Sequence, residues 1–99
     1  MIEYIKEYGV TSTDYESIVR ILSKELIDLM TLSEYKVREI LDYYNSIGLT
    51  ESISKLIINR PDLILIEREV LDDLISKIDA KTFATIVKTS IDDLIILGI

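Results

Sequence analysis

The sequence predicts an all-α protein of short helices, and three observations lead to this fold class. Apolar residues recur at spacings of three and four along most of the chain, which is the period of an α-helix. The 99 residues include one proline and three glycines, a scarcity that disfavours turn-rich β architectures. Residues suited to helix capping precede several of the periodic stretches. We therefore expect short helices in stacked three-helix repeats, arranged as a small α-solenoid or an irregular bundle.

The first half of the chain contains signals for at least three helices. Residues 4–8 predict a short helix with one apolar face, which Gly9 is expected to end. Thr13 and Glu16 have the spacing of a capping box, which predicts that a second helix begins there. Residues 31–34, Thr-Leu-Ser-Glu, repeat that spacing before another helix. The buried face of this later helix is expected to contain Val37, Ile40, Leu41 and Tyr44.

The second half continues the helical pattern around the single proline. Gly48 is expected to end the preceding helix in a left-handed conformation, and Asp79 is expected to cap a later helix. Pro61 does not fit inside a helix, but it fits the first turn of a new short one. The isoleucine-rich residues 56–58 and 63–66 also fit short buried strands. We favour helices for both, because caps and helical spacing agree on either side of them.

The chain also shows self-similarity at a spacing of about 35 residues. Residues 18–22 resemble residues 53–57, and residues 27–30 resemble residues 61–64. One unit of helix, short helix and longer helix cannot bury its own apolar face, so neighbouring units are expected to stack and leave a groove. We interpret the chain as a single domain, residues 1–99, with repeat copies at about residues 13–46, 47–79 and, in truncated form, 80–99.

The middle of the chain carries a recognisable order of short motifs. Residues 44–50, 53–57 and 60–64 contain a glycine turn ending in threonine, an apolar helix and Arg-Pro-Asp-Leu-Ile. Over about residues 40–78, this order resembles one repeat of the mitochondrial transcription termination factor family. The resemblance implies a curved helical solenoid that binds nucleic acid through a basic inner face. On that alternative, the contacting residues would be Lys24, Lys55, Arg60 and Lys88.

Charge and tyrosine distribution favour a protein partner over nucleic acid. With 18 acidic and 11 basic residues, the chain has a net charge of −7, which repels phosphate backbones and attracts basic surfaces. All six tyrosines precede residue 45, several adjoin acids, and tyrosine is enriched at interfaces. The competing interpretation places some of these tyrosines in the core. The predicted partner-binding residues are Tyr4, Tyr8, Tyr15, Glu16, Tyr35, Asp42 and Tyr43.

The chain ends in an apolar run, residues 94–99, which caps a helical repeat poorly. We favour folding of this run back onto the core. The alternative is burial in a partner or a second copy, which would make the protein a homo-oligomeric structural element joined through Leu94, Ile95, Ile96, Leu97 and Ile99. No apolar run approaches the roughly 20 residues that span a bilayer. The protein is therefore expected to be soluble and without a membrane partner, and the absence of cysteine agrees with a cytoplasmic setting.

The side chains that most enzymes rely on are missing. Histidine and cysteine are both absent, which removes the commonest general base, the thiolate nucleophile and the usual transition-metal ligands. The adjacent pairs Asp72–Asp73 and Asp92–Asp93 diverge by about 100° on a helix, so neither pair converges on one ion. We predict a non-enzymatic protein–protein interaction module without a cofactor or metal. Its concrete version is a small acidic inhibitor that masks a basic target.

Overall fold

A computed structural model describes all 99 residues and confirms the all-α fold class. It contains six α-helices and four 3-10 helices and no strand. The α-helices are α1 (Ser12–Ile21), α2 (Lys24–Leu32), α3 (Glu34–Ser46), α4 (Ile53–Asn59), α5 (Arg68–Ser76) and α6 (Ala80–Ser90). The 3-10 helices are Glu3–Tyr8, Thr50–Ser52, Pro61–Leu63 and Ile91–Leu94.

Neither of the two isoleucine-rich segments is a strand. Residues 56–58 lie in α4, and residues 63–66 form the end of a 3-10 helix and the turn after it. The two segments predicted as repeat copies each contain three helices in order, with α1, α2 and α3 in the first and α4, Pro61–Leu63 and α5 in the second. That these segments are repeats, and that they stack as a solenoid, stays a prediction.

Two of the predicted helix starts are wrong by one or more residues. The α1 helix begins at Ser12, because the Thr11 hydroxyl accepts a hydrogen bond from the Asp14 amide at 3.1 Å and caps it. Thr13 is therefore inside the first turn and not at the cap. Thr31 lies in the last turn of α2, where its hydroxyl donates to the Ile27 carbonyl. The α3 helix follows with almost no linker, so no capping box separates the two helices.

Other sequence signals are confirmed at the positions predicted. Gly48 follows α3 with a φ of 87°, and the Leu49 amide donates to the Tyr44 carbonyl across it at 2.9 Å. Pro61 is the first residue of its 3-10 helix. The Asp79 carboxylate accepts from the Thr82 amide at 2.8 Å and caps α6. These turns set the directions in which α4 and α6 leave their neighbours.

The core is one continuous cluster centred on α3. The four residues predicted for its buried face, Val37, Ile40, Leu41 and Tyr44, are all fully enclosed. Tyr44 stacks on Phe83 of α6 with ring centroids 6.0 Å apart, and its hydroxyl donates to the Leu63 carbonyl. The helix pairs α1–α4, α3–α5 and α5–α6 pack against each other around this centre. The outer face of α3 is therefore held on a rigid support.

The apolar C-terminal run is divided between core and surface. Leu94 is fully buried and Ile99 packs partly against the core, so the predicted fold-back is correct for these two residues. Ile95 and Ile96 are 69% and 81% exposed, and Leu97 is also exposed. Arg60 donates to the Ile99 carbonyl and fixes the end of the run. None of the helices combines the length and apolar character of a membrane-crossing segment.

Candidate functional site

A groove of about 580 Å³ runs along the outer face of α3. We call it the α3 groove, and it is lined by Tyr8, Tyr35, Arg38, Glu39, Asp42, Tyr43, Ser46 and Arg68. Four of the seven residues predicted to bind a partner, Tyr8, Tyr35, Asp42 and Tyr43, are among them, but Tyr8 is only 8% exposed and belongs to the core cluster. The structure thus brings together side chains that are up to 35 positions apart in the sequence.

Helical geometry explains why these side chains share a surface. Tyr35, Glu39, Asp42 and Ser46 follow one another at spacings of three and four, so they line one stripe of α3, away from the buried face. The Glu3–Tyr8 3-10 helix packs on one side of this stripe and contributes Tyr8. The start of α5 packs on the other side. The groove therefore depends on three elements holding their relative positions.

Arg38, one of the residues that line the groove, joins the N-terminal 3-10 helix to α3. Its guanidinium donates to both carboxylate oxygens of Glu7 at 3.0 Å and to Glu34 at 2.8 Å. A further contact at 3.3 Å reaches the Tyr8 hydroxyl. The hydrogen bonds to Glu7 raise the pKa of Arg38, and those from Arg38 lower the pKa of Glu7. The positive charge of Arg38 is therefore compensated within the protein.

Arg68 holds the opposite wall of the groove. Its guanidinium carbon lies 4.4 Å from the centre of the Tyr43 ring, and its Nε donates to Asp72 at 2.9 Å. The hydrogen bond to Asp72 raises the pKa of Arg68, while burial raises the pKa of Tyr43. The Tyr43 ring in turn lies 6.0 Å from that of Tyr44 in the core. The wall thus continues directly into the core packing.

Two carboxylates in the groove take part in no ion pair and accept no side-chain hydrogen bond. The seven ion pairs of the structure include neither Glu39 nor Asp42, and no side chain donates a hydrogen bond to either. Tyr35 stands at the rim with 86% of its surface exposed. Together with Glu7, Glu34 and Asp72, which pair with the two arginines, the acidic side chains around the groove outnumber the basic ones by five to two, beside the exposed ring of Tyr35. This combination suits a cationic side chain of a partner.

The remaining predicted partner-binding residues lie elsewhere. Tyr4 belongs to the core, which corrects its assignment to an exposed surface: it is 6% exposed, and its hydroxyl donates to the Met30 carbonyl at 2.6 Å. Burial raises its pKa to about 12. Tyr15 is half-buried, and its hydroxyl donates to Glu3 at 3.1 Å. Glu16 is exposed on α1, outside the α3 groove.

The four basic residues of the nucleic-acid alternative differ in their exposure and in their contacts. Lys24 pairs with Asp28 at 3.2 Å. Arg60 is 16% exposed and donates to Asp62, which raises the pKa of Arg60 and lowers that of Asp62. Arg60 is therefore held by contacts within the protein, whereas the Lys24 side chain is 89% exposed.

Lys55 and Lys88 do lie together, because the Lys55 ammonium donates to the Lys88 carbonyl at 3.1 Å. Beside them is a second groove of about 460 Å³, which we call the α6 groove. It is lined by Ser46, Ile47, Ala80, Lys81, Ala84, Thr85 and Lys88. Ser46 belongs to both grooves.

Some residues of the α3 groove were missing from the sequence prediction. Glu39 lies one helical turn from Tyr35, so the spacing within α3 was sufficient to find it. Arg68 had no such signal, because it reaches the groove only through the packing of α5 on α3. Lys81 in the α6 groove lies two helical turns from the predicted Lys88 on the same helix, so the spacing within α6 was sufficient to find it. Helical spacing identifies neighbours within one helix, while neighbours from other helices require the tertiary structure.

The acidic pairs considered for chemistry have structural contacts instead. Asp72 accepts from Arg68, and Asp93 accepts from the Ser90 hydroxyl at 2.9 Å. No group of three or more acidic side chains is close enough together to hold a metal ion.

No protein-family model, curated protein or solved structure matches the chain. The resemblance to the transcription termination factor repeat stays a prediction.

Proposed function

We propose that this protein is a non-enzymatic protein–protein interaction module whose α3 groove receives a basic side chain of its partner. The observation that carries the proposal is the pair of carboxylates, Glu39 and Asp42, which line the groove with Tyr35 and Tyr43 and take part in no ion pair. A lysine or arginine placed there would meet two negative charges and the exposed ring of Tyr35.

Elementary energetics support this choice of partner. A cation over an aromatic ring gains about 0.5–1 kcal/mol at an exposed site and more once water is excluded. Tyrosine also provides a large contact area at low entropic cost, which is why it recurs among residues that dominate binding. Beyond Tyr35, a recess of about 530 Å³ at the start of α5 exposes Val70 as an additional apolar contact. The groove therefore combines charge with apolar area.

The charge of the whole chain supports the same partner class. A net charge of −7 raises the rate at which basic surfaces encounter the protein, while repelling nucleic acid. In the finer version of the proposal, the protein is a small inhibitor that covers the basic functional surface of its target. Such a target would lose access to its own acidic or phosphate-bearing ligand while the complex persists.

The proposal is tested with fluorescein-labelled peptides of equal length, one rich in lysine and arginine and one rich in glutamate. We expect anisotropy to report binding of the basic peptide alone, weakened by the double variant Glu39→Gln/Asp42→Asn by about tenfold, which corresponds to about 1.4 kcal/mol. The matched control is Glu16→Gln, which removes an exposed acid outside the groove.

Two results would contradict the proposal. One is an equal loss of affinity in Glu16→Gln and in the double variant, which would mean that overall charge and not the groove attracts the peptide. The other is salt-sensitive binding of single- or double-stranded DNA or RNA at micromolar protein, which would favour the nucleic-acid alternative.

A further inference from the structure

Four large apolar side chains are exposed along α2, the start of α3 and the start of α5. Leu32 and Tyr35 are 84% and 86% exposed, and Leu29 and Val70 are about half exposed. Single exposed apolar residues are ordinary in a folded protein, but a group of them that adjoin one another marks an interaction surface. We call these four residues the apolar strip.

The residues of the apolar strip form one surface because each adjoins the next. Leu29 and Leu32 are one turn apart on α2 and share a face of it. Leu32 and Tyr35 are separated by three positions, which even an extended chain spans in about 11 Å. Tyr35 and Val70 line the same recess of about 530 Å³ at the start of α5. The strip borders the α3 groove, since Tyr35 lines both the groove and the recess.

The charged residues of these helices that lack an ion pair are all acidic. Every basic residue of α2, α3 and α5 takes part in an ion pair, and these residues are Lys24, Lys36, Arg38 and Arg68. By contrast, Glu25, Glu39 and Glu69 are exposed and take part in none. Glu25 lies one turn before Leu29 on α2, while Glu39 and Glu69 line the recess beside Val70. Carboxylates that surround apolar residues in this way favour a basic partner.

We infer that the apolar strip receives the apolar face of a basic amphipathic helix of the partner, whose lysines or arginines meet the surrounding carboxylates. Helices of this kind bind apolar surfaces through residues at spacings of three and four. An extended segment has less to bind, because the fold has no strand and therefore no sheet edge to which a strand could be added. The inference rests on the proposed function, since it takes the basic side chain in the α3 groove and the apolar face on the strip to belong to one partner.

Contacts between α3 and α5 hold the strip in position. The Lys36 ammonium donates to Glu67, the residue before α5, at 2.7 Å. Arg68 lies over the Tyr43 ring of α3 at 4.4 Å. These two contacts fix the Val70 side of the recess relative to α3, so a partner helix meets a surface that is already formed. A preformed surface lowers the entropic cost of binding.

The test uses two fluorescein-labelled peptides that contain the same leucines and lysines in different orders. In the first peptide the leucines recur at spacings of three and four and form one helical face, and in the second the order is scrambled so that no such face exists. We expect anisotropy at micromolar protein to show that the amphipathic peptide binds about ten times as tightly as its scrambled isomer. Because the two peptides have equal charge, general electrostatic attraction does not contribute to this difference.

The variant Leu32→Ser/Val70→Ser alters two residues of the strip that do not line the α3 groove. We expect it to weaken binding of the amphipathic peptide by about tenfold and to leave binding of the scrambled isomer unchanged. The matched control is Ile95→Ser/Ile96→Ser, which removes exposed apolar residues that line neither the grooves nor the recess. It should bind both peptides like the natural sequence, and circular dichroism checks that each variant is folded.

Equal affinity for the two isomers would overturn the inference, as would amphipathic binding that Leu32→Ser/Val70→Ser leaves intact, or no binding of either peptide. If Glu39→Gln/Asp42→Asn still weakens binding of the basic peptide in such a case, the proposed function stands without the strip. If instead the strip variant abolishes binding and Glu39→Gln/Asp42→Asn has no effect, the α3 groove is not the site and the strip is the docking surface by itself.

Discussion

Arg38 and Glu7 are 31 positions apart in the sequence and form a bidentate pair, with both donor–acceptor distances at 3.0 Å. This pair joins the N-terminal 3-10 helix to the helix that carries the α3 groove. Planar guanidinium–carboxylate pairs of this kind fix orientation as well as distance. The position of Tyr8 in the groove therefore depends on a contact made by another lining residue, Arg38.

The first prediction concerns the pH dependence of this pair. Arg38 lowers the pKa of Glu7, so the pair stabilises the fold above the ordinary carboxyl pKa and is lost as the pH falls through the lowered value. We expect Glu7→Gln to lower the urea midpoint at neutral pH, with a difference from the natural sequence that shrinks in acid. The control is Glu16→Gln, which changes an exposed acid that forms no ion pair. Its difference in urea midpoint from the natural sequence should not depend on pH in this way. A difference that stays constant down to strongly acidic pH would refute this account.

The second prediction concerns the buried hydroxyl of Tyr44. Removing it in Tyr44→Phe leaves the Leu63 carbonyl without its donor in a dry environment, since Tyr44 is fully buried. We expect a loss of about 1–3 kcal/mol in the free energy of unfolding, measured by urea denaturation. Tyr35→Phe, at an exposed ring, should change stability by less than about 0.5 kcal/mol. Equal stability of the two variants would show that the Leu63 carbonyl finds another donor.

The third prediction concerns the close approach of Gly9 to the Thr50 backbone. Gly9 has a φ of 110°, and a Cβ added there would lie 2.5 Å from the Thr50 carbonyl oxygen. We expect Gly9→Ala to cost about 2–4 kcal/mol, from backbone strain together with overpacking. Gly48→Ala is the control, because its φ of 87° is also unfavourable but its nearest neighbour, the Lys88 ammonium, would be at an ordinary 3.6 Å.

For Gly48→Ala we expect a cost of about 1–2 kcal/mol, from the left-handed backbone alone. Thermal unfolding by circular dichroism measures both variants. If Gly9→Ala proved as stable as Gly48→Ala, the 49–52 turn would have to move freely away from the N-terminal 3-10 helix.

The helices could be predicted from the sequence wherever the signal was local. The apolar spacing on α3 identified its buried face without error, and Pro61 and Asp79 marked element starts by their own backbone chemistry. The start of α1 was placed wrongly because Thr11 and Thr13 are equally good caps by type. In the structure it is Thr11 that accepts the capping hydrogen bond from the Asp14 amide.

Part of the candidate site could also be predicted, because helical spacing within α3 is a local signal. Tyr35 and Asp42 are exposed by their position on α3, but Tyr4 resembles them in the sequence and lies in the core. Only the approach of α2, whose Met30 carbonyl accepts the Tyr4 hydroxyl, separates the two environments. Likewise, nothing near Arg68 in the sequence shows that it faces Tyr43. Long-range packing determined which tyrosines remained at the surface.

The contact of Tyr43 with Tyr44, and of Tyr44 with Phe83, links one wall of the groove to the centre of the molecule. A wall supported in this way is preorganised, since moving Tyr43 would disturb stacked rings in a densely packed interior. Docking of a partner would therefore cost the protein little conformational entropy. Binding should then approach rigid-body association, with an on-rate set by electrostatic encounter and not by rearrangement of the groove.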